Sequence, residues 1–202
     1  MRRASSLIEW GVAALAIAGE RESGDLHLVK AVGRGVLVSV VDGLGHGAEA
    51  AAAARTAVAT LNRHADDALL PLLRRCHTAL HGTRGVVMSL ALFEAPRGSL
   101  TWLGVGNVEG LLLHADPAAR PTSLVTRGGI VGSALPPSRA EVVAVAPGDT
   151  LIFATDGIQD GFAREVSADA SPQQLADQIL ARYTKGTDDA LVLVARRLGA
   201  AR

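Results

Sequence analysis

The sequence predicts an α+β protein in which antiparallel strands predominate and a few helices lie against the sheet. Three observations support this class. Apolar runs of strand length recur along most of the chain, short turn signals join several of them, and helical periodicity is confined to a few segments. Parallel strands would need connections of about a dozen residues or more between them, so the short turns favour antiparallel pairing.

The apolar runs come in a regular order and are mostly short enough to cross a sheet once. They occupy residues 8–17, 26–32, 36–41, 86–93, 100–105, 108–114, 141–145, 150–154 and 190–195. Turn residues separate two of the neighbouring pairs, at 95–98 (Ala-Pro-Arg-Gly) and at 106–107 (Gly-Asn). Each of these turns predicts a hairpin between the runs on either side of it.

Helices are predicted at three places. An alanine-rich segment at 48–63 has apolar residues at helical spacing, and a second helix follows at 67–80. Near the C-terminus, Ser171 is a suitable N-cap and Pro172 suits the first helical position, which predicts a helix through about Arg182.

The composition argues against several function classes. The 202 residues suffice for one sizeable core and predict a single domain over residues 1–202. The net charge is zero and only 3% of residues are aromatic, so neither a basic surface nor stacking platforms indicate nucleic-acid binding. No apolar run approaches the roughly 18 residues of a membrane span. The single cysteine, Cys76, cannot form an internal disulfide and fits a cytoplasmic location.

Acidic residues recur where apolar runs meet loops. Asp25 and Asp188 stand shortly before a run, whereas Asp42 and Asp156 directly follow one. Asp-Gly is a common turn dipeptide, and for any one of these positions alone the turn interpretation is favoured. Their number and their common placement instead predict that the carboxylates converge at one end of the sheet.

Converging carboxylates repel one another and would protonate unless a cation neutralised them. An oxygen-rich set without paired His or Cys favours a hard ion, Mg²⁺ or Mn²⁺, over zinc. Gly43 fits this interpretation, because a residue without a side chain lets its backbone carbonyl approach an ion held by Asp42. Two such ions can lower the pKa of a shared water and direct it at phosphorus. The predicted chemistry is hydrolysis of a phosphate ester.

These residues resemble the metal-dependent protein phosphatases of the 2C (PPM) type, and more narrowly the SpoIIE branch with its RsbX-like stressosome phosphatases. The resemblance extends from about residue 9 to residue 196. Its motifs are SGD at 23–25, DGLGHG at 42–47, GVGN at 104–107, RGGIVG at 127–132, TDG at 155–157 and DDALVLV at 188–194. Single Asp-Gly pairs are weak motifs, but six motifs in the family's order make a specific signal.

The resemblance implies a four-layer sandwich, in which two mainly antiparallel β-sheets pack face to face and helices flank them. It implies two Mn²⁺ or Mg²⁺ ions, with Asp42 bridging both and the carbonyl of Gly43 binding the first. Asp156 and Asp188 match ligands of the second ion, and Asp25 matches an acidic residue near the first. These carboxylates are therefore the predicted catalytic and metal-binding residues.

Three further residues have weaker predicted roles. Asp189 is expected to orient Asp188 or to cap the start of the last strand. Arg84 lies in a glycine-flanked loop and is a candidate for binding the substrate phosphate through its guanidinium. His46 has a side chain able to protonate a leaving serine oxygen, and it is equally compatible with a solvent-facing residue at a helix start.

The sequence thus predicts a phosphoserine or phosphothreonine phosphatase in which a metal-bridging water attacks phosphorus. By resemblance, its partner is a phosphorylated regulatory protein of the anti-anti-sigma or stressosome type, with no nucleic acid and no membrane involved. Two alternatives stay open: a non-catalytic binding module of the same fold in a partner-switching pathway, and a small-molecule phosphatase with the same metals.

Overall fold

The computed structural model describes residues 2–4, 7–94, 98–116, 118–162 and 170–199. Its strands and helices follow one another in an order close to the predicted one. They are β1 (Arg2–Ala4), β2 (Ile8–Leu15), β3 (Asp25–Val32), β4 (Gly35–Gly43), α1 (Gly47–Arg63), α2 (Leu69–Ala79), β5 (Val86–Glu94), β6 (Ser99–Val105), β7 (Glu109–Leu113), β8 (Thr122–Leu124), β9 (Glu141–Ala144), β10 (Thr150–Ala154), α3 (Pro172–Tyr183) and β11 (Ala190–Arg197).

Two sheets form the centre of the fold. One has the strand order β1-β2-β11-β10-β7-β8 and the other β3-β4-β5-β6-β9. Neighbouring strands pair antiparallel in both sheets. The sheets pack face to face, α1 and α2 cover the outer face of the β3–β9 sheet, and α3 covers the outer face of the β1–β8 sheet. The predicted four-layer α+β sandwich is confirmed.

The central strands, such as β4 and β5, are apolar on both sides because both sides are covered. In β4, Val36, Val38 and Val40 face the other sheet, whereas Leu37 and Val41 face the helices. Side chains alternate across a strand, so a strand between two apolar layers needs apolar residues at nearly every position. This explains why the sequence shows continuous apolar runs and little polar alternation.

The helices bury one face each, as their sequence spacing predicts. On α2, Leu69, Leu72, Leu73 and Cys76 recur at helical spacing and are buried against the sheet. α3 begins with the predicted cap, because the hydroxyl of Ser171 accepts a hydrogen bond from a backbone N–H one turn into the helix. Within the described ranges, no helix is long and apolar enough to cross a membrane.

One predicted hairpin is wrong. The turn at Gly106 and Asn107 does not pair the strands that flank it, because β6 belongs to one sheet and β7 to the other. Gly106 has a φ of +93°, and a Cβ there would lie 2.2 Å from Val87. The hydroxyl of Ser89 donates to the carbonyl of Val108 over 2.8 Å and so holds the crossing chain. The crossover carries Asn107 to one end of the sandwich.

The other predicted hairpin is confirmed by the pairing of β5 with β6, although residues 95–97 of its turn lie outside the described residues. The short edge strands β1 and β8 were not predicted. Neither contains an apolar run in the sequence. Arg2 lies opposite Trp10, and Leu124, which is buried in the core between the sheets, lies opposite Gly110.

Candidate active site

Two of the predicted carboxylates face each other at the end of one sheet. Asp25 is the first residue of β3, and Asp42 comes near the end of β4. The strand register makes them direct cross-strand partners. Like charges at directly opposed positions destabilise a sheet, so this pairing needs a compensating interaction.

The other sheet supplies two more carboxylates to the same place. Asp156 follows β10 and Asp188 lies just before β11. Together with Asp42 they line one cleft of about 430 Å³, which the side chain of Asn107 also lines. Residues far apart in the sequence are therefore brought together where the two sheets end.

Burial and mutual repulsion perturb the cross-strand pair. Burial raises the pKa of Asp42 to about 9, and the charges of Asp25, Asp156 and Asp188 add to the effect. Burial likewise raises the pKa of Asp25 to about 7, although a hydrogen bond from the hydroxyl of Thr155, 2.7 Å long, opposes the rise. Among the described residues, no donor hydrogen-bonds to the carboxylate of Asp42.

The position of Gly43 requires glycine for a packing reason as well. A Cβ at this position would lie 2.2 Å from the carbonyl oxygen of Ala50 in α1. The backbone N–H of Gly43 donates to the carbonyl of Gly24 over 3.0 Å, which ties the end of β4 to the loop before β3. Close approach of α1 to the strand end thus depends on the missing side chain.

Asp189 differs from the other carboxylates because backbone groups satisfy it. It is buried, and its oxygens accept hydrogen bonds from the N–H of Ile17 over 2.8 Å and from that of Gly24 over 2.7 Å. Its own N–H donates to the carboxylate of Asp188 over 2.8 Å. Asp189 therefore fixes the loop between β2 and β3 to the start of β11 and helps to orient Asp188.

The open cleft suits hydrated hard cations. Within the described part of the chain, no three Asp, Glu, His or Cys side chains stand close enough together to enclose an ion. The carboxylates instead stand around a cleft large enough for the water ligands that Mg²⁺ retains when proteins bind it. Unneutralised carboxylates and oxygen-only donors fit a divalent hard ion, and the residues present therefore fit the predicted cofactor.

Comparison with known proteins agrees with this geometry. A family model described as Stage II sporulation protein E (SpoIIE) matches residues 33–198. The chain belongs to the SpoIIE family. It is 22% identical over 180 residues to the phosphoserine phosphatase RsbX of Bacillus subtilis (strain 168), covering 89% of each chain.

Solved structures share the whole fold with this SpoIIE-family chain. One solved structure was described in a study of the bacterial stressosome, a modular system adapted to control secondary messenger signalling. Its chain is 32% identical to this one, and the two superpose with a TM-score of 0.86 over 94% of this chain and 99% of that one. RsbX in complex with magnesium is 20% identical with a TM-score of 0.85, over 96% and 98%. The catalytic domain of the serine/threonine phosphatase PstP with two manganese ions is 17% identical with a TM-score of 0.72, over 96% and 99%.

The predicted family and enzyme class are confirmed by these comparisons: the SpoIIE-family chain is a metal-dependent protein phosphatase of the 2C type.

Two residues of the predicted site are not among those that line the cleft. His46 precedes α1, and its Nδ1 lies 2.8 Å from a carboxylate oxygen of Glu20. Arg84 forms an ion pair with Glu49, 2.6 Å from Nε to carboxylate oxygen, and its guanidinium lies against Gly45 of the loop that follows Asp42. Neither His46 nor Arg84 lines the cleft itself, whereas Gly45 does.

Sequence reasoning missed three residues that position the carboxylates. The amide of Asn107 donates to the carboxylate of Asp156 over 2.7 Å. Lys185 donates to the backbone carbonyl of Asp156 over 2.6 Å. The hydroxyl of Thr155 links Asp25 to the backbone N–H at the start of β11. Asn107 and Thr155 belong to the GVGN and TDG motifs, and their presence there was the one available signal.

Proposed function

We propose that this chain hydrolyses phosphoserine or phosphothreonine on a regulatory protein of the anti-anti-sigma or stressosome type, using two Mn²⁺ or Mg²⁺ ions held at the carboxylate cleft. One observation carries the proposal. Carboxylates from three separate segments of the chain, Asp42, Asp156 and Asp188, line one cleft, and the buried Asp25 lies directly opposite Asp42. Asp42 has the most strongly raised pKa and accepts no hydrogen bond from the described residues. A divalent cation would displace the proton from such a group and stabilise its charged form.

The residues that would hold the ions are Asp42, Asp156 and Asp188, with Asp25 and the carbonyl of Gly43 beside Asp42. When bound, two divalent ions neutralise phosphate charge and lower the pKa of a water that serves as the nucleophile. The fold supplies the positioning, because both sheets end at the cleft and each contributes carboxylates from a rigid strand end.

The surrounding residues would orient the carboxylates and receive the substrate. Asn107 holds one oxygen of Asp156 and so directs the other toward the cleft. Arg84 stands beside Gly45 with its guanidinium exposed to solvent, where exchange of Glu49 for a phosphate group would be possible. We assign to His46, which pairs with Glu20, the donation of a proton to the leaving alkoxide.

Two comparisons support a protein substrate of this type. RsbX is named as a phosphoserine phosphatase, and it covers the same extent of fold as this chain. The 32%-identical structure comes from work on the bacterial stressosome. On this basis we infer that the phosphorylated partner is a small regulatory domain of that system.

The test is phosphatase assay of three samples: the wild type with Mn²⁺, the wild type with chelator, and Asp42→Asn with Mn²⁺. Each sample is assayed on an aryl phosphate and on a phosphorylated anti-anti-sigma domain. We expect the wild type with Mn²⁺ to hydrolyse both, with higher kcat/KM on the protein, and the other two samples to be inactive. Asp116→Asn changes an exposed loop carboxylate and should retain full activity.

Each failure has a distinct meaning. Absence of activity in every sample would support a non-catalytic binding module. Turnover of the aryl phosphate alone would contradict the proposed protein substrate while leaving the hydrolase in place. Equal activity of Asp42→Asn and the wild type would contradict the proposed site.

A further inference from the structure

A second concave site lies between α1 and α2 on the helical face of the molecule. It has a volume of about 620 Å³ and shares no lining residue with the carboxylate cleft. Each helix contributes one face, because the lining residues recur at helical spacing. We call this site the α1–α2 groove; its lining is Thr56, Ala59, Thr60, Arg63, His64, Arg74, Arg75, Thr78 and Ala79.

The α1–α2 groove carries an excess of positive charge. Arg63 and Arg74 are exposed, and within the described part of the chain neither contacts a carboxylate. Arg75 is neutralised by Asp67, 2.6 Å from Nε to carboxylate oxygen. The whole chain has zero net charge, so this excess is a local feature and does not reflect an overall basic protein.

The side chains that line the α1–α2 groove favour a ligand whose polar groups are hydrogen-bond acceptors. The hydroxyls of Thr56, Thr60 and Thr78 each donate to a backbone carbonyl one turn earlier, at 2.9, 2.8 and 3.1 Å. Their hydrogens are therefore used within the helices, and the free side-chain donors are mainly guanidinium groups. A carboxylate has only acceptor oxygens and matches this supply.

We propose that the α1–α2 groove binds an acidic segment of a partner protein, at a surface separate from the carboxylate cleft. Small threonine and alanine side chains line the groove and let a peptide backbone approach, while Arg63 and Arg74 pair with Asp or Glu side chains. A nucleic acid fits less well, because the lining contains no Phe, Tyr or Trp on which bases could stack. This surface does not depend on the proposed phosphatase activity.

The test measures binding of a fluorescently labelled decaglutamate peptide by anisotropy at low and at high ionic strength. Wild-type protein should bind, and binding should weaken as salt screens the charges. Arg63→Glu/Arg74→Glu should weaken binding by about tenfold or more. Arg139→Glu/Arg182→Glu is the matched control: it changes the net charge equally, both arginines are exposed, and Arg182, like Arg63, lies in the last turn of a helix.

Several outcomes would overturn the proposal: no binding of decaglutamate to the wild type, equal loss in both double variants, or equal binding of a decaglutamine peptide. Tighter binding of a labelled single-stranded oligonucleotide through the same arginines would also overturn it in favour of nucleic acid. Thermal unfolding and aryl phosphate hydrolysis should be similar in both double variants, which shows that a loss of binding is not a loss of folding.

Discussion

Replacing Asp42 with Asn should stabilise the metal-free protein at neutral and alkaline pH. The folded protein raises the pKa of Asp42 to about 9, mainly through burial, from a usual value of 3.8. Between these values the folded state keeps a proton that the unfolded state has released. Stability of the wild type must therefore fall as pH rises through this range. Asn carries no charge at any pH, so the Asp42→Asn variant should keep its stability as the pH rises.

The size of the effect follows from the linkage between protonation and folding. One proton gives a slope of at most about 1.4 kcal/mol per pH unit, or about 4 kcal/mol between about pH 5 and about pH 8. Water in the open cleft screens the charges, and we expect about half of this, about 2 kcal/mol. For a domain of this size, Asp42→Asn should then unfold roughly 4–8 °C above the wild type near pH 8.

The assay is thermal unfolding in chelator across this pH range. Asp149 provides the contrasting control, because it is also buried but accepts backbone N–H groups of Ala115 over 2.8 Å and Ala146 over 2.9 Å. Asp149→Asn should be less stable than the wild type throughout. If Asp42→Asn were destabilised to the same extent near pH 8, the repulsion argument would be wrong. Added Mn²⁺ should stabilise the wild type and not Asp42→Asn, since under the proposed function the variant lacks a metal ligand.

Two further substitutions test how the site is built. Thr155→Val removes the hydroxyl that donates to Asp25. Because residues that orient a metal ligand typically change metal affinity tenfold or more, we expect Mn²⁺ binding measured by calorimetry to weaken by about tenfold or more. An unchanged affinity would contradict the proposed role of Asp25. Gly43→Ala forces a Cβ against the backbone of α1 and should lower the free energy of unfolding by about 1–3 kcal/mol in a urea titration. At Gly33 a Cβ would meet only the carboxylate of Asp66, at an ordinary contact distance of 3.8 Å, so Gly33→Ala should stay within about 0.5 kcal/mol of the wild type. Equal losses at both glycines would contradict the packing argument.

The sequence predicted most of the fold because both sheets are covered on both faces. Such strands are apolar throughout, so their positions are visible as runs, and the run at 150–154 coincides with β10. The turn at Gly106 and Asn107 was misassigned for a physical reason. A two-residue turn indicates a change of direction. The choice between pairing with the preceding strand and crossing to the other sheet depends on the packing of Gly106 against Val87 and on the hydrogen bond from Ser89 to the carbonyl of Val108.

The site was predictable to the extent that it lies at strand ends. Asp42 and Asp156 follow apolar runs and Asp25 and Asp188 precede them, and it was this repeated placement of four carboxylates that indicated convergence. The cross-strand pairing of Asp25 with Asp42 was not predictable, because it depends on the register of β3 against β4. The contribution of Asn107 was also missed, since an Asn after Gly is typical of a turn and its contact with Asp156 exists only after the crossover has formed.

The carboxylates at and around the cleft differ in how many hydrogen bonds they accept from the chain, and this number indicates whether each one is structural or available to an ion. Asp189 accepts two backbone N–H groups, so its charge is satisfied by the fold and it belongs to the scaffold. Asp25 and Asp156 each accept one side-chain hydrogen bond, which orients them and leaves other lone pairs unused. Asp42 accepts none from the described residues and has the higher pKa of the opposed pair. In its charged form Asp42 destabilises the fold unless a cation neutralises it, and under the proposed function Asp42 is therefore the carboxylate that gains most from a bound metal ion.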